Sequence, residues 1–251
     1  MKELKDFSQL LAQKSGEVIR RYFRSQVSID TKDDDSPVTI ADRKAEEIMR
    51  ELIMKEFPDH SILGEEFGEF NPGSEYQWIL DPIDGTKSFI SGTVTFGTLI
   101  ALLKNGKPVL GVINQPILNE FLIGDNETAE LNRKKVCCRK CSGLSAATLL
   151  TTDHVNIQKY QNAQKFDKLI SKVKLYRNWG DCYGYYLVAT GFADIMIDPI
   201  MSVWDSMALI PVIQGAGGVI TDYHGGDAVE GHSIIAAAPD IHSEVIKILN
   251  G

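Results

Sequence analysis

Apolar residues near the start of the chain recur every three or four positions. Leu4, Phe7, Leu10, Leu11, Val18, Ile19, Tyr22 and Phe23 share one helical face, with charged residues between them, which predicts an amphipathic helix. Ala45, Ile48, Met49, Leu52, Ile53 and Phe57 repeat the pattern and predict a second helix from near Ile40, stopped by Pro58. Residues 30–37, with Lys32, Asp33, Asp34, Asp35 and Pro37, are polar and aperiodic and predict a flexible loop.

Short apolar runs then replace the helical spacing. Strands are predicted at 61–64, 78–81, 96–103, 109–115 and 120–124, with 134–140 also extended. Asn105-Gly106 between two of them favours a hairpin. From 149 onward strands (149–152, 175–178, 193–198, 218–222, 233–237) alternate with helices (163–173, 183–190, 205–214, 239–249). The chain therefore reads as mixed α+β, antiparallel first and α/β later. A soft boundary falls near Gly143, giving halves 1–142 and 143–251, with no linker composition between them.

Composition narrows the function classes. At 251 residues the chain can bury a sizeable core without disulfides. Its formal charge of −8 argues against a nucleic-acid or membrane-surface partner, since phosphate backbones demand a basic surface. An anionic substrate is still possible, because a bound divalent cation reverses the local sign. No signal peptide or membrane segment is visible, so we expect a cytoplasmic protein with reduced thiols. Cys137, Cys138 and Cys141 suggest zinc, but no second C-x-x-C completes a site, and small strand side chains are the better reading.

Acids collect at element ends. Glu65 and Glu66 follow Gly64; Asp81-Pro82-Ile83-Asp84-Gly85-Thr86 ends an apolar strand; Trp204-Asp205 opens a helix. Pro82 forbids simple continuation of a central strand. Gly85 permits an unusual backbone angle or close ligand approach, and a helix starting at Thr86 leaves N–H groups unpaired. Carboxylates suit Mg²⁺ and free N–H groups suit phosphate. The competing reading is that Asp81 and Asp84 only cap a turn. Glu65, Asp81, Asp84 and Asp205 have no matching Lys or Arg beside them, and packing them together without cations would cost several kcal/mol.

These motifs, with Gly215-Ala216-Gly217-Gly218, resemble the inositol monophosphatase family, from Pro37 to Gly218. The resemblance implies a Mg²⁺-dependent phosphomonoesterase with the layered αβαβα sandwich of the inositol monophosphatase/fructose-bisphosphatase type. It implies that Glu65, Asp81 and the Ile83 carbonyl hold one Mg²⁺ and that Asp81, Asp84 and Asp205 hold a second. A third, weaker ion would lean on Glu65. Asp42 and Thr86 would orient the attacking water, which Asp42 alone, as an acid in a helix's first turn, would not suggest. Gly85 and Thr86 N–H groups would receive the phosphate, and Asp198 would contact substrate. Hydrolysis would proceed by direct attack of water activated by the cations, with no covalent enzyme intermediate. We also expect the 30–37 loop to act as a lid, and the family resemblance implies a homodimer.

Within the family, residues 177–191 and Thr86-Lys87-Ser88-Phe89 are most similar to the histidinol-phosphatase branch. Inositol-1-phosphatase members usually carry T-x-N-F there. Trp179 and Tyr183 are either core or substrate residues, and Asp181 is either a helix cap, a substrate contact or both. The alternatives are an inositol-1-phosphate phosphatase and, in another class, an interaction protein of the transcription machinery.

Overall fold

The computed structural model describes residues 1–25, 29–31 and 37–251. The helix α1 (Lys2–Tyr22) leads through β1 (Ile29–Thr31) and β2 (Pro37–Thr39) into α2 (Ile40–Glu56). Thereafter come β3 (Ser61–Gly64), β4 (Gly68–Phe70), β5 (Tyr76–Asp84), α3 (Thr86–Ile90), β6 (Gly97–Lys104), β7 (Lys107–Gln115), β8 (Glu120–Gly124), β9 (Ala129–Leu131) and β10 (Lys134–Val136). The later part runs β11 (Thr148–Thr151), α4 (His154–Tyr160), α5 (Ala163–Ile170), β12 (Leu175–Arg177), α6 (Asp181–Ala189), β13 (Ile195–Asp198), α7 (Val203–Ser206), α8 (Leu209–Gly215), β14 (Val219–Thr221), β15 (Ile234–Ala237) and α9 (Pro239–Asn250).

Two larger sheets organise the chain. One has the order β10-β9-β8-β7-β6-β5-β3-β4, the other β12-β11-β13-β15-β14. Period-two alternation explains the layers. On β5 and β6, Trp78, Leu80, Ile100 and Leu102 point toward α1 and α2, packing with Leu11, Met49 and Ile53. Ile79, Leu99 and Ala101 point the other way, toward α6 and α8. The smaller sheet divides likewise: Met196 and Ala236 join that middle layer, while Ile195, Ile197, Ile235 and Ala237 pack under α5 and α9. The helix–sheet–helix–sheet–helix sandwich follows from these alternations.

Several expectations needed correction. The aperiodic 30–37 stretch has paired arms, with Ile29 opposite Thr39. Residues 32–36, the middle of the expected lid, lie outside the described residues. The helix expected over 205–214 is split into α7 and α8, because Pro211 has no N–H to bond the Met207 carbonyl one turn earlier. The strands β4 and β9 and the helix α4 went unread, being three to seven residues long. No described helix is long and apolar enough to cross a membrane.

The middle layer is tight because two glycines open the sheet to α8. Gly111 and Gly124 are cross-strand partners on β7 and β8. A Cβ on Gly111 would overlap the Ala208 carbonyl, and one on Gly124 would overlap Pro211 and Val212 backbone atoms. Gly111→Ala should therefore cost about 1–3 kcal/mol. Chemical denaturation would read this as a lower midpoint with an unchanged slope; an unchanged midpoint would mean that α8 is free to shift.

Candidate active site

The site begins with an irregularity in β5. Asp81 pairs with Leu99 and Asp84 with Gly97, so two residues of β5 stand against one of β6. This is a β-bulge. Pro82 has no N–H to give the ladder, and its carbonyl accepts from the Thr98 hydroxyl at 2.9 Å instead. The strand therefore runs through Pro82 rather than ending at Asp81. Residues three apart on a regular strand face opposite ways. The extra residue brings Asp84 to the same side as Asp81 and turns Ile83 into the cluster of Ile19, Ala41 and Phe89.

Asp205 joins them from α7. It is the N3 residue of a capping box, with one oxygen 2.8 Å from the Ser202 N–H. Asp81, Asp84 and Asp205 each offer a carboxylate oxygen, and these atoms lie within 4.8 Å of one another. Asp81 is buried, and its Oδ1 has no hydrogen-bond partner. A buried orphaned oxygen is costly unless something absent from the chain satisfies it. An all-oxygen donor set fits a hard divalent cation. Glu65 follows β3, held by its N–H to the Leu80 carbonyl at 3.1 Å, and its charge acts on both Asp81 and Asp205.

Asp42 is not an exposed first-turn acid. It is buried at N3 of α2, its Oδ2 accepting from the Thr39 N–H and hydroxyl at 2.8 and 2.6 Å. Its Oδ1 lies 3.4 Å from the Thr86 hydroxyl, which also reaches the Ile83 carbonyl at 3.1 Å. Gly85 has φ 86°, and a Cβ there would come within 2.7 Å of Asp181 Oδ2. Asp181 itself has φ 52° and does not cap its helix; Gly180 occupies the cap position, and the Asp181 carboxylate accepts from Ser88 at 3.1 Å. Asp198, at the end of β13, is buried and accepts from Thr152 N–H at 3.1 Å and the Tyr185 hydroxyl at 2.9 Å.

A cleft of about 420 Å³ runs over Glu65, Asp81, Asp84, Gly85, Thr86 and Asp205. It adjoins a recess of about 100 Å³ that reaches Asp198, the two sharing Asp84, Thr152, Asp153, Asn156, Asp181 and Asp205. The sequence reading missed Thr152, Asp153 and Asn156, and took Ser88 only as part of the Thr86-Lys87-Ser88-Phe89 motif. A signal was available: Thr152 and Asp153 follow the end of β11, a strand parallel to β12 and β13, and ligands collect at such carboxyl ends. It also missed Cys182, whose backbone N–H bonds Asp84. Trp179 is exposed, and Tyr183 stacks on Tyr186. Cys137 is exposed, and among the described residues the cysteines form no ligand cluster.

The acids strain one another. Burial, then Glu65, Asp84 and Asp205, hold the Asp81 carboxyl well above the usual carboxylate range. Burial, then Asp181 and Asp205, do the same to Asp84. Burial drives Asp205 up to about 7 against the Ser202 N–H, and burial with Asp198 drives Asp181 up to about 6.

With this geometry in view, the comparisons with known proteins agree. Residues 1–250 match the profile of the inositol monophosphatase family, and the chain belongs to that family. It is 46% identical to the bifunctional phosphatase IMPL2, chloroplastic, of Arabidopsis thaliana, over 95% of this chain and 72% of the relative. It is 41% identical to a histidinol-phosphatase of Chlorobaculum parvum, over 90% of this chain and 89% of that one. An inositol monophosphatase structure from Zymomonas mobilis superposes with a TM-score of 0.89 at 35% identity, covering 100% of this chain and 98% of the other. The fold is thus that of the family's phosphatases, which hydrolyse small phosphomonoesters with the aid of metals.

Two predictions come from the clustered acids. Their folded pKa values are raised, so the native state binds more protons than the unfolded chain and stability falls as pH rises. In a chelator, stability should decline from near the ordinary carboxylate value, 3.8, through the Asp205 value of about 7. Millimolar Mg²⁺ should flatten that slope; identical melting profiles with and without Mg²⁺ would contradict the cation site. Asp81→Asn should raise the melting temperature in chelator by removing one repelling charge, and should abolish most of the Mg²⁺-induced stabilisation. Loss of stability in chelator, with the Mg²⁺ increment intact, would show that Asp81 is a packing residue.

Proposed function

We propose that the chain hydrolyses L-histidinol phosphate to L-histidinol and phosphate, with Mg²⁺ as its cation. The observation that carries the substrate is the second set of acids. Asp153, Asp181 and Asp198 line the cleft and its recess beside the Asp81–Asp84–Asp205 cluster without joining it, and Lys87 is the cation among the lining residues. A neutral polyol needs no such charge. A leaving group with a primary ammonium does. Asp198 is fixed by Thr152 and Tyr185, and each of its oxygens keeps a lone pair for a further donor. Relatives bearing the name histidinol-phosphatase support this reading, as does Ser88, whose hydroxyl donates to Asp181.

Asp81, Asp84 and Asp205, with Glu65 and the Ile83 carbonyl, would hold the cations. When bound, divalent cations lower the pKa of water, neutralise the phosphate and stabilise the departing oxygen. The chain's own groups orient the reactants. Both oxygens of Asp42 are directed: Oδ2 to Thr39 and Oδ1 toward Thr86. A Thr86 hydroxyl donating to Asp42 Oδ1 presents its lone pairs outward, where they can accept from an attacking water. The Gly85 and Thr86 N–H groups, at the start of α3, receive phosphate oxygens.

A charge-assisted hydrogen bond to the ammonium is worth about 1.5–3 kcal/mol, or on the order of 10–100-fold in specificity. Phosphate release with Mg²⁺ should therefore give a kcat/KM for histidinol phosphate above those for inositol-1-phosphate and fructose-1,6-bisphosphate by about that factor. Asp198→Asn should raise KM for histidinol phosphate and leave inositol-1-phosphate little changed. Equal losses on both substrates, or a wild-type preference for inositol-1-phosphate, would reject the assignment.

A further inference from the structure

Beneath the Glu65 turn lies a buried ion pair that the chemistry above does not use. Glu46 on α2 is fully buried. Its Oε2 accepts from the Glu66 N–H at 2.8 Å, and its Oε1 accepts from the Phe67 N–H at 3.2 Å and from Arg50 Nη1 at 3.1 Å. Arg50 Nη1 also donates to the Gly68 carbonyl at 2.9 Å. The turn between β3 and β4 is thus clamped at successive backbone groups, from 66 to 68, by two side chains of one helix. Gly64 is required for the approach, since a Cβ there would overlap the Glu46 carboxylate.

We infer that Glu46 and Arg50 are positioning residues that set Glu65 against the metal site, fixing cation affinity rather than touching substrate. The case rests on geometry and on the reading of Glu65 as a ligand. Successive N–H groups of a turn form a cradle for an anion; here the chain supplies the anion itself. Burying a carboxylate is costly unless its oxygens are satisfied, and Glu46 receives two N–H groups and a guanidinium. The helical spacing links the device to the water-orienting acid: Asp42, Glu46 and Arg50 are four residues apart and share one face of α2. One rigid helix therefore carries Asp42 to Thr86 and holds the turn that presents Glu65. A displacement of that turn would move a ligand of the cations and leave the Asp81–Asp84–Asp205 cluster in place.

Partners that orient metal ligands typically contribute about 10–100-fold in metal affinity. Glu46→Gln removes the charge and turns an amide N–H₂ toward donors. In the full-length protein, calorimetry should show Mg²⁺ binding weakened by about that factor, with kcat at saturating Mg²⁺ largely recovered and KM for the phosphomonoester little changed. Arg50→Lys, which keeps the cation, should retain most of the affinity. Arg50→Met, which keeps the stem without the bonds, should lose several-fold and serves where Glu46→Gln does not fold. A folded Glu46→Gln or Arg50→Met protein that melts earlier yet binds Mg²⁺ as tightly as wild type would overturn the inference. Glu65→Gln is measured beside them. If it binds Mg²⁺ normally while Glu46→Gln does not, the ligand assignment of Glu65 fails and the positioning role goes with it.

Discussion

The single extra residue at Pro82 determines the site. Without the bulge, Asp81 and Asp84 would face opposite sides of β5, one toward the cleft and one toward α1 and α2. With it, both face the middle layer, and Ile83 is freed to anchor the strand end among Ile19, Ala41 and Phe89. The proline that seemed to end the strand is what makes the bulge tolerable, because it removes an N–H that the interrupted ladder would leave unpaired. The next residue that must conform is Gly85, whose positive φ starts α3 beside Asp181. An acidic corner is thus written into six consecutive residues, and the rest of the fold brings other acids to it.

Those acids are delivered by helix starts. Asp42 and Asp205 both sit at N3 of capping boxes, each using Oδ2 for its own helix; Asp42 keeps Oδ1 for the Thr86 hydroxyl, while Asp205 lines the cleft. Asp84 accepts the N–H of Cys182 in the first turn of α6. The partial positive charge at a helix N-terminus offsets part of the repulsion among carboxylates, and the capping bonds fix their rotamers. Local stability and site geometry are therefore served by the same side chains. The offset is incomplete, as the raised Asp81, Asp84 and Asp205 carboxyls attest. The remaining strain is what a divalent cation would relieve.

Much of this was legible in the sequence, for identifiable reasons. Long periodic helices such as α1 and α2, and the Asn105-Gly106 hairpin with both residues at positive φ, are local signals and were read correctly. The acids Glu65, Asp81, Asp84 and Asp205, at strand and helix ends, stood out because no Lys or Arg adjoins them in the sequence. What was lost was non-local or short. The continuation of β5 through Pro82 depends on β6 answering with Thr98. The Asp42 bond to Thr39 is a local capping box, but its contact with Thr86, 44 residues on, forms only when α2 docks near the end of β5. Asp153 caps α4 and Asn156 lies on it, a helix of seven residues with only one buried side chain, which leaves no periodic signature.

The charge of the cleft also divides its labour. A phosphate dianion would be repelled by a cleft lined with acids, so cations must first reverse the sign around Asp81, Asp84 and Asp205. Asp153, Asp181 and Asp198 stand at or just beyond the carboxyl ends of strands of the smaller sheet, and Asp198 lines the recess rather than the cleft itself. Burial raises Asp198, while the Thr152 and Tyr185 donors favour its charged form. An ammonium placed there would complete what those donors begin, holding the carboxylate ionised and being held in return. The two ends of the cleft would then have opposite sign in the working state, positive at the phosphate and negative at the leaving group. A zwitterionic phosphomonoester matches that polarity along its whole length, and a neutral polyol phosphate matches only half of it.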